Sequence, residues 1–303
     1  MQNSMSRREM LVRSAGAIAA VTLPSSLHAY AAADSDEARL RAWSAALRSS
    51  GMTRRARPLG ARAIRVGELA IGTPYEPFTL EAYIKAGGDP TEREPLTLSL
   101  TRFDCVTLVE SCIAIARASD DGVRPTWARF SREMERMRYR GGKRHGYVTR
   151  LHYFSEWISD GEKRGLVKDL GQDLGGTNDT RPLRFMTEHR SSYPALADDS
   201  VFARIGEMER RLDGSPRFVV ATEKIAEVQD RLQTGDVIAF ATGIAGLDVT
   251  HAAFAYRGTD GVLRVLHAPL SGGAVEITRT TLPEYVAKIR RATGILVARP
   301  LSA

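Results

Sequence analysis

The feature that most constrains this chain is an apolar helical run that begins directly at a cysteine. An extended segment, 96–101, leads to Asp104 and Cys105, and mostly apolar residues follow as far as Ala118. An aspartate placed immediately before such a run is typical of a helix N-cap, so we predict a helix that begins at Cys105. A thiol at that position faces unpaired backbone N–H groups and the positive end of the helix dipole, which both favour the thiolate.

Cys105 therefore has two interpretations. As a thiolate it could attack a carbonyl carbon, while the N–H groups of the first helical turn hold the oxyanion of the tetrahedral intermediate. Alternatively, it is a small buried side chain of the core. The helix by itself leaves both interpretations open.

The second cysteine, Cys112, follows seven residues later on nearly the same helical face. Seven residues of helix separate two Cα atoms by about 10 Å, whereas a disulfide requires less than about 7 Å. The two cysteines therefore cannot pair within one helix, and the chain is not a disulfide scaffold. Because Cys112 continues an apolar stripe with Leu108 and Val109, we interpret it as a core residue.

The N-terminus has the features of an export signal. Arg7 and Arg8 precede a weakly apolar run, 15–23, and small residues around Ala31 resemble a cleavage site. A membrane-spanning helix needs about 20 apolar residues, which this run does not reach. We predict a twin-arginine signal peptide over 1–31 and a periplasmic protein with no stable membrane anchor after cleavage. The alternative is a chance basic N-terminus on a cytosolic protein.

Charge and length suggest the rest of the domain organisation. The formal net charge is +7, without long blocks of Lys or Arg, so no nucleic-acid partner is expected. A mild basic bias fits an anionic polymer or an acidic peptide as substrate. We predict an N-terminal helix and linker over 32–60, followed by a single catalytic domain over 61–303.

After Gly235 the pattern changes to strands, with a strand predicted at 235–243, a hairpin at 246–269 and a further strand at 272–279. If a five-residue loop, 257–261, closes the hairpin, His251 lies directly opposite His267 on the same sheet face. A slip of one residue would put them on opposite faces.

Cys105, His251 and His267 are the candidate catalytic residues. A thiolate that attacks, an imidazole that shuttles the proton and a third polar group that orients the imidazole are the parts of thiol-based acyl transfer. A structural role for either histidine is the alternative. The other histidines show no zinc-ligand spacing, so neither a metal nor another cofactor is expected.

Six segments resemble, in order, the NlpC/p60-type cysteine hydrolases, and among them the N-acetylmuramoyl-L-alanine amidase-like branch. These segments are IGTPYEPFTLE, FDCVTLVES, RLHYFSEWI, GDVIAF, GLDVTHAAF and VLHAP, and the resemblance spans about 61–299. It implies a papain-like α+β fold, in which a nucleophile helix packs on an antiparallel sheet that carries the histidines. The 146 positions from Cys105 to His251 then contain a long helical and loop insertion, about 119–230.

The resemblance also implies residue roles. Cys105 matches the nucleophile, His251 the general base and His267 the polar residue that orients the base. Tyr75 matches a tyrosine of the substrate cleft and Asp104 the position beside the nucleophile. Packing alone would also account for Tyr75, and helix capping alone for Asp104.

By the same resemblance, the substrate is peptidoglycan or its muropeptide fragments, cut at the amide between the muramic acid lactyl group and L-alanine. A γ-D-glutamyl-diaminopimelate endopeptidase and a non-catalytic wall-binding protein are the alternatives. A zinc amidase would need a ligand set that the sequence does not supply. Arg102, Arg150 and His152 are candidates for binding substrate carboxylates, each with a structural role as the alternative.

Overall fold

The computed structural model describes residues 35–52, 57–119, 125–271 and 273–302. The predicted signal peptide and its twin arginines lie outside these ranges. Among the described residues, no helix combines the length and the apolar character needed to cross a membrane. The α-helices are α1 (Asp36–Ser49), α2 (Leu59–Leu69), α3 (Ala82–Lys85), α4 (Cys105–Ala118), α5 (Trp127–Arg138), α6 (Phe154–Lys163), α7 (Phe185–Glu188), α8 (Asp199–Leu212), α9 (Ile225–Val228) and α10 (Leu282–Ala287).

The strands form one antiparallel sheet with the order β2-β3-β8-β4-β5-β6-β7, and β1 also pairs with β8. This mixed architecture of helices and an antiparallel sheet agrees with the predicted α+β class. The strands are β1 (Val167–Asp169), β2 (Thr177–Asn178), β3 (Phe218–Ala221), β4 (Val237–Thr242), β5 (Val249–Arg257), β6 (Leu263–His267), β7 (Glu276–Ile277) and β8 (Ala292–Pro300).

The central strands separate two apolar layers. Side chains such as Ala239, Phe254 and Leu266 belong to the layer that contains α2 and α4. Their neighbours along the strands, such as Phe240 and Val265, belong to a second layer, which Leu282 and Val286 of α10 complete. The alternation follows from the two-residue period of a strand, and it requires strands that are apolar on both faces.

Helix α4 begins at Cys105, as predicted. The Asp104 carboxylate accepts a hydrogen bond from the Thr107 N–H at 2.7 Å, and the Thr107 hydroxyl accepts one from the Asp104 N–H at 2.9 Å. Such capping contributes about 1 kcal/mol to helix stability. From Thr107 to Ala118 every residue is buried, so α4 is surrounded by the fold, and its cap fixes where Cys105 emerges.

The segment between α4 and β4 is more than an insertion of helices and loops. Strands β1 and β3 pair with β8, and β2 extends the sheet from β3. A separate apolar cluster joins helices α7 and α8 to Leu247 in the connection between β4 and β5. The segment is therefore attached both to the sheet and to the loop that precedes His251.

The predicted hairpin register is wrong by two residues. Tyr256 pairs with Arg264, and Arg257 with Leu263, so the five-residue loop runs over 258–262 rather than 257–261. His251 is therefore diagonal to His267 rather than directly opposite it. Because a two-residue slip preserves the face, both histidines still point to the same side of the sheet.

Candidate active site

The two candidate histidines of β5 and β6 contact each other. His251 Nε2 lies 2.8 Å from His267 Nδ1, with the two rings nearly perpendicular at 78°. His267 is fully buried, whereas His251 is half-buried. A diagonal pair is about 7–8 Å apart at the backbone, a separation that two imidazole side chains can bridge. Since Nε2 of His251 is engaged by His267, Nδ1 is the ring nitrogen left to exchange a proton with another group.

Aromatic rings enclose this pair on the α10 side of the sheet. The Phe240 ring stacks on His251, with centroids 5.6 Å apart and planes 7° apart. The Tyr285 ring meets His267 edge-on at 5.2 Å, and the Tyr285 hydroxyl lies 3.4 Å from His267 Nδ1. Burial, together with the charge of His267, holds the pKa of His251 well below its usual range. His251 is therefore neutral near pH 7 and able to accept a proton.

Cys105 is partly exposed at the N-terminus of α4, a helix that packs against β5 and β6. Burial, then the charge of Glu276 and then that of Cys105, raise the pKa of Tyr285. Cys105 therefore lies within electrostatic range of the hydroxyl that contacts His267. Cys112 is buried, and burial raises the pKa of its thiol far above the usual range. The two cysteines thus differ in exposure, since Cys105 is partly exposed and Cys112 is buried.

Tyr75 lies on the segment that links the beginning of α4 to the strand after His267. Its backbone forms a parallel bridge with Phe103, and its N–H donates to the carbonyl of Gly273 at 2.8 Å. The Tyr75 side chain is half-buried and packs against the layer that contains α4. The structure therefore places Tyr75 beside Phe103, two residues before Cys105.

The Asp104 carboxylate caps the N-terminus of α4. One carboxylate oxygen accepts from both the N–H and the hydroxyl of Thr107, and the Thr79 hydroxyl lies 3.5 Å from the other. These contacts tie the Cys105 end of α4 to the loop that follows Tyr75. They account for the aspartate without a substrate contact.

The three candidates for binding substrate carboxylates differ in their surroundings. Arg150 is buried, donating from Nε to Glu94 Oε1 at 2.6 Å and from Nη1 to Glu81 Oε1 at 2.7 Å, which gives it a structural role. Arg102 is exposed, and its Nε lies 3.1 Å from a carboxylate oxygen of Glu76. The ring of His152 lies 2.9 Å, through Nε2, from the carbonyl of Tyr147. Of the three, Arg102 is the one whose charge faces solvent.

Two residues that contact the histidine pair, Glu276 and Tyr285, are not among the site residues predicted from the sequence. Glu276 of β7 pairs with His267 across the strands, and its Oε1 lies 3.6 Å from His267 Nε2. Tyr285 reaches His267 from α10, a short helix with no recognisable motif. Continuing the hairpin register into the next predicted strand was the signal that could have found Glu276. For Tyr285 the sequence offered no comparable signal.

Within the ranges that the structure describes, no group of three His, Cys, Asp or Glu side chains is arranged to hold a metal ion. The candidate residues include a thiol, Cys105, and a neutral imidazole, His251. Such a pair is suited to attack on a carbonyl carbon with proton transfer to the leaving group.

Proteins of known structure are similar to this chain in fold and, in part, in sequence. A crystallised N-acetylmuramoyl-L-alanine amidase from Bacteroides uniformis ATCC 8492 is 27% identical, with a TM-score of 0.72 over 80% of this chain and 98% of that one. A Bacteroides fragilis protein provisionally named a xylanase is 31% identical, with a TM-score of 0.69 over 77% of this chain and 98% of that one. A Legionella pneumophila protein, 19% identical with a TM-score of 0.62 over 88% of this chain and 94% of that one, shares the fold.

No curated protein matches the chain. One family model, described as AmiA-like, N-acetylmuramoyl-L-alanine amidase-like, matches residues 65–295. The match includes Cys105, His251, His267 and Glu276, and it covers most of the described fold. This chain therefore belongs to the AmiA-like family of N-acetylmuramoyl-L-alanine amidase-like peptidoglycan hydrolases.

Proposed function

We propose that this chain is a cysteine-dependent peptidoglycan amidase with a papain-like, NlpC/p60-type catalytic domain. The observation that carries the proposal is the 2.8 Å contact between His251 Nε2 and His267 Nδ1. That contact supplies an oriented imidazole, and Cys105 at the head of α4 supplies the thiol. The membership of the chain in an amidase-like family supports an amide as the bond that is cut.

In the first half of the reaction, Cys105 attacks the carbonyl carbon of the lactyl group of muramic acid. His251 takes the thiol proton through Nδ1, and the new C–S bond converts the carbonyl into a tetrahedral oxyanion. Backbone N–H groups at the beginning of α4 are suited to hold that oxyanion. The C–N bond then breaks, His251 returns the proton to the departing amine, and L-alanine leaves as the free N-terminus of the stem peptide.

In the second half, water hydrolyses the thioester. His251 removes a proton from the water as the oxygen attacks the acyl carbon, and the C–S bond breaks. The proton returns to Cys105, and the lactyl carboxylate is released. Each step uses a proton that His251 holds and gives back, so one neutral imidazole suffices.

The bond that is cut is the testable part of this proposal. Purified protein would be incubated with a disaccharide-tripeptide muropeptide, and the products would be weighed by mass spectrometry. Cleavage at muramic acid gives a free disaccharide and an intact peptide that begins with L-alanine. Cleavage between D-glutamate and diaminopimelate gives a disaccharide-dipeptide and shows instead the endopeptidase alternative.

A Cys105→Ala variant is the matched control, because a contaminating hydrolase would act in both samples. Iodoacetamide should inactivate the wild type, whereas EDTA should not. If the wild type binds peptidoglycan but leaves every muropeptide intact, the chain is a wall-binding protein and the amidase proposal is wrong. A xylanase, as the Bacteroides fragilis neighbour is named, would need a pair of carboxylates that flank the glycosidic bond, whereas the candidate site is built on a thiol and two histidines.

We also propose that the protein acts in the periplasm after twin-arginine export, because Arg7 and Arg8 precede a weakly apolar run. Replacing both arginines with lysine should leave the precursor in the cytoplasm. Cell fractionation and detection of the mature chain would measure this. Unchanged periplasmic accumulation of the double-lysine variant would rule out the twin-arginine route.

A further inference from the structure

The ring of His267 has one nitrogen with partners and one without a hydrogen bond. Nδ1 lies 2.8 Å from His251 Nε2 and 3.4 Å from the Tyr285 hydroxyl. Nε2 is buried and, among the described residues, has no hydrogen-bond partner. Glu276 Oε1, at 3.6 Å, is the acidic oxygen that faces it. That separation is too long for a hydrogen bond but short enough for a strong electrostatic effect on a proton at Nε2.

The position of the His267 proton determines whether His251 can act as a base. If His267 carries its proton on Nδ1, it donates to His251 Nε2, and a neutral His251 must then carry its own proton on Nδ1. That nitrogen could not accept a proton from a thiol. If His267 carries its proton on Nε2, its Nδ1 accepts from the His251 Nε2–H. The lone pair of His251 Nδ1 is then free for the thiol proton.

We propose that Glu276 is a positioning residue that holds His267 in the Nε2–H tautomer and thereby keeps His251 competent as the base. This inference rests on the proposed cysteine mechanism. The negative charge of Glu276 attracts a proton to the buried Nε2, and the pairing of His267 with Glu276 across β6 and β7 fixes the geometry. The Tyr285 hydroxyl, 3.4 Å from Nδ1, can donate to that nitrogen or accept from it, so the charge of Glu276 is the feature that selects the tautomer.

The Glu276 side chain is 50% exposed, so solvent screens its charge and the effect is moderate. Removing the charge with Glu276→Gln should lower kcat about two- to fivefold, the range expected for a partly exposed charge pair. KM should not change, because the effect passes through the base and not through substrate binding. Glu227→Gln, which removes the same charge from an exposed position on α9, is the matched control and should leave kcat unchanged.

The tautomer itself can be measured without substrate. Nitrogen-15 NMR of labelled histidine side chains distinguishes Nδ1–H from Nε2–H in the free protein. We expect His267 as the Nε2–H tautomer in the wild type and in Glu227→Gln, and a measurable fraction of Nδ1–H in Glu276→Gln. Glu276→Asp, which restores the charge on a shorter side chain, should recover part of the wild-type tautomer population.

The two readouts separate this inference from the proposed function. An inactive wild type with the expected tautomers would refute the amidase proposal and leave the tautomer assignment standing. An unchanged tautomer population in Glu276→Gln would overturn the inference, whether or not kcat falls, because a purely structural or substrate-contacting glutamate would behave in that way.

Discussion

His251 Nε2 lies 2.8 Å from His267 Nδ1 although the strand register does not place the two residues opposite each other. Phe254 pairs with Leu266, so His251 is displaced by two residues from direct opposition to His267. The contact is therefore diagonal and is made by the imidazole side chains. Enclosure by Phe240 and Tyr285 restricts both rings, so the contact is held by packing as well as by the hydrogen bond.

The two histidines should not be equivalent when they are substituted. His251→Ala should be nearly inactive, because proton transfer contributes about 10²- to 10⁴-fold to the rate. His267→Ala should retain partial activity, since the thiol, the base and the oxyanion donors remain. His267→Asn should be closer to the wild type than His267→Ala, because its amide oxygen can still accept from the His251 ring N–H. Steady-state kinetics on a defined muropeptide would measure all three.

The order of activity among these histidine variants is what the kinetic measurements test. Circular dichroism and thermal denaturation of each variant would exclude unfolding as the cause of lost activity. If His267→Ala were as inactive as His251→Ala in a folded protein, His267 would take part in the chemistry directly. If His251→Ala kept near-wild-type turnover, the assignment of the base would be wrong.

Substitutions of the two cysteines should have different effects on activity. Cys105→Ala and Cys105→Ser should abolish hydrolysis while the fold persists, because Cys105 is partly exposed at the helix end. Cys112→Ala should keep its activity, since Cys112 is a buried core residue, and its cost should be one of stability. Mass spectrometry after brief iodoacetamide treatment should find the label on Cys105, and Cys105→Ala should remain unlabelled under the same conditions. Full turnover by Cys105→Ala would contradict the thiol mechanism.

Local features of this site could be predicted from the sequence. The beginning of α4 depends on Asp104 and on the apolar run that follows, and both lie within a few residues of Cys105. The sequence predicts a hairpin loop of the correct length, five residues, but one residue too early in the chain. Gly258, Asp260 and Gly261 are all typical turn residues, so composition alone does not fix the position of the turn. Contacts within the loop fix it, such as the hydrogen bond that the Val262 N–H donates to Asp260 Oδ1 at 3.1 Å. A slip of one position in the loop changes the strand register by two residues. The prediction that His251 and His267 lie on the same face of the sheet is therefore still correct.

Nonlocal features could not be predicted in the same way. Strand β8 lies between β3 and β4 in the centre of the sheet, yet its pattern did not single it out as a strand. The strand over 272–279 is predicted, but the pairing of its Glu276 with His267 depends on the register that β7 adopts against β6. Tyr285 comes from a helix that packs across the sheet. In each case the partner is chosen by tertiary packing, which a single sequence does not encode locally.

The low pKa of His251 should be visible in the pH dependence of catalysis. His251 must be unprotonated to accept the thiol proton, and burial and the charge of His267 lower its pKa well below 6.5. A lower pKa extends the active form to more acidic solution, so the acidic limb of kcat/KM should fall below pH 6.5. His267→Asn removes one cause of the shift and should move that limb upward. An acidic limb at or above pH 6.5 in the wild type would contradict the assignment of His251 as a neutral base with a lowered pKa.

Arg150 should behave as a structural residue and not as a substrate anchor. Its guanidinium donates to Glu94 at 2.6 Å, to Glu81 at 2.7 Å and to the carbonyl of Leu80 at 2.7 Å, and Glu94 is itself buried. Arg150→Met leaves the Glu94 carboxylate buried without its cation, which should lower the free energy of unfolding by about 3–5 kcal/mol. Urea denaturation followed by circular dichroism would measure the loss.

Arg102→Met is the matched control for this experiment, because Arg102 also pairs with a glutamate, Glu76, but both side chains are about half exposed. Its loss should change the free energy of unfolding by no more than about 1 kcal/mol. In the double variant Arg150→Met with Glu94→Leu, part of the stability lost in Arg150→Met should return, since no unpaired carboxylate remains at position 94, whereas the buried Tyr139 hydroxyl loses its acceptor. The opposite pattern, with wild-type stability in Arg150→Met and a raised KM, would show that Arg150 binds the substrate after all.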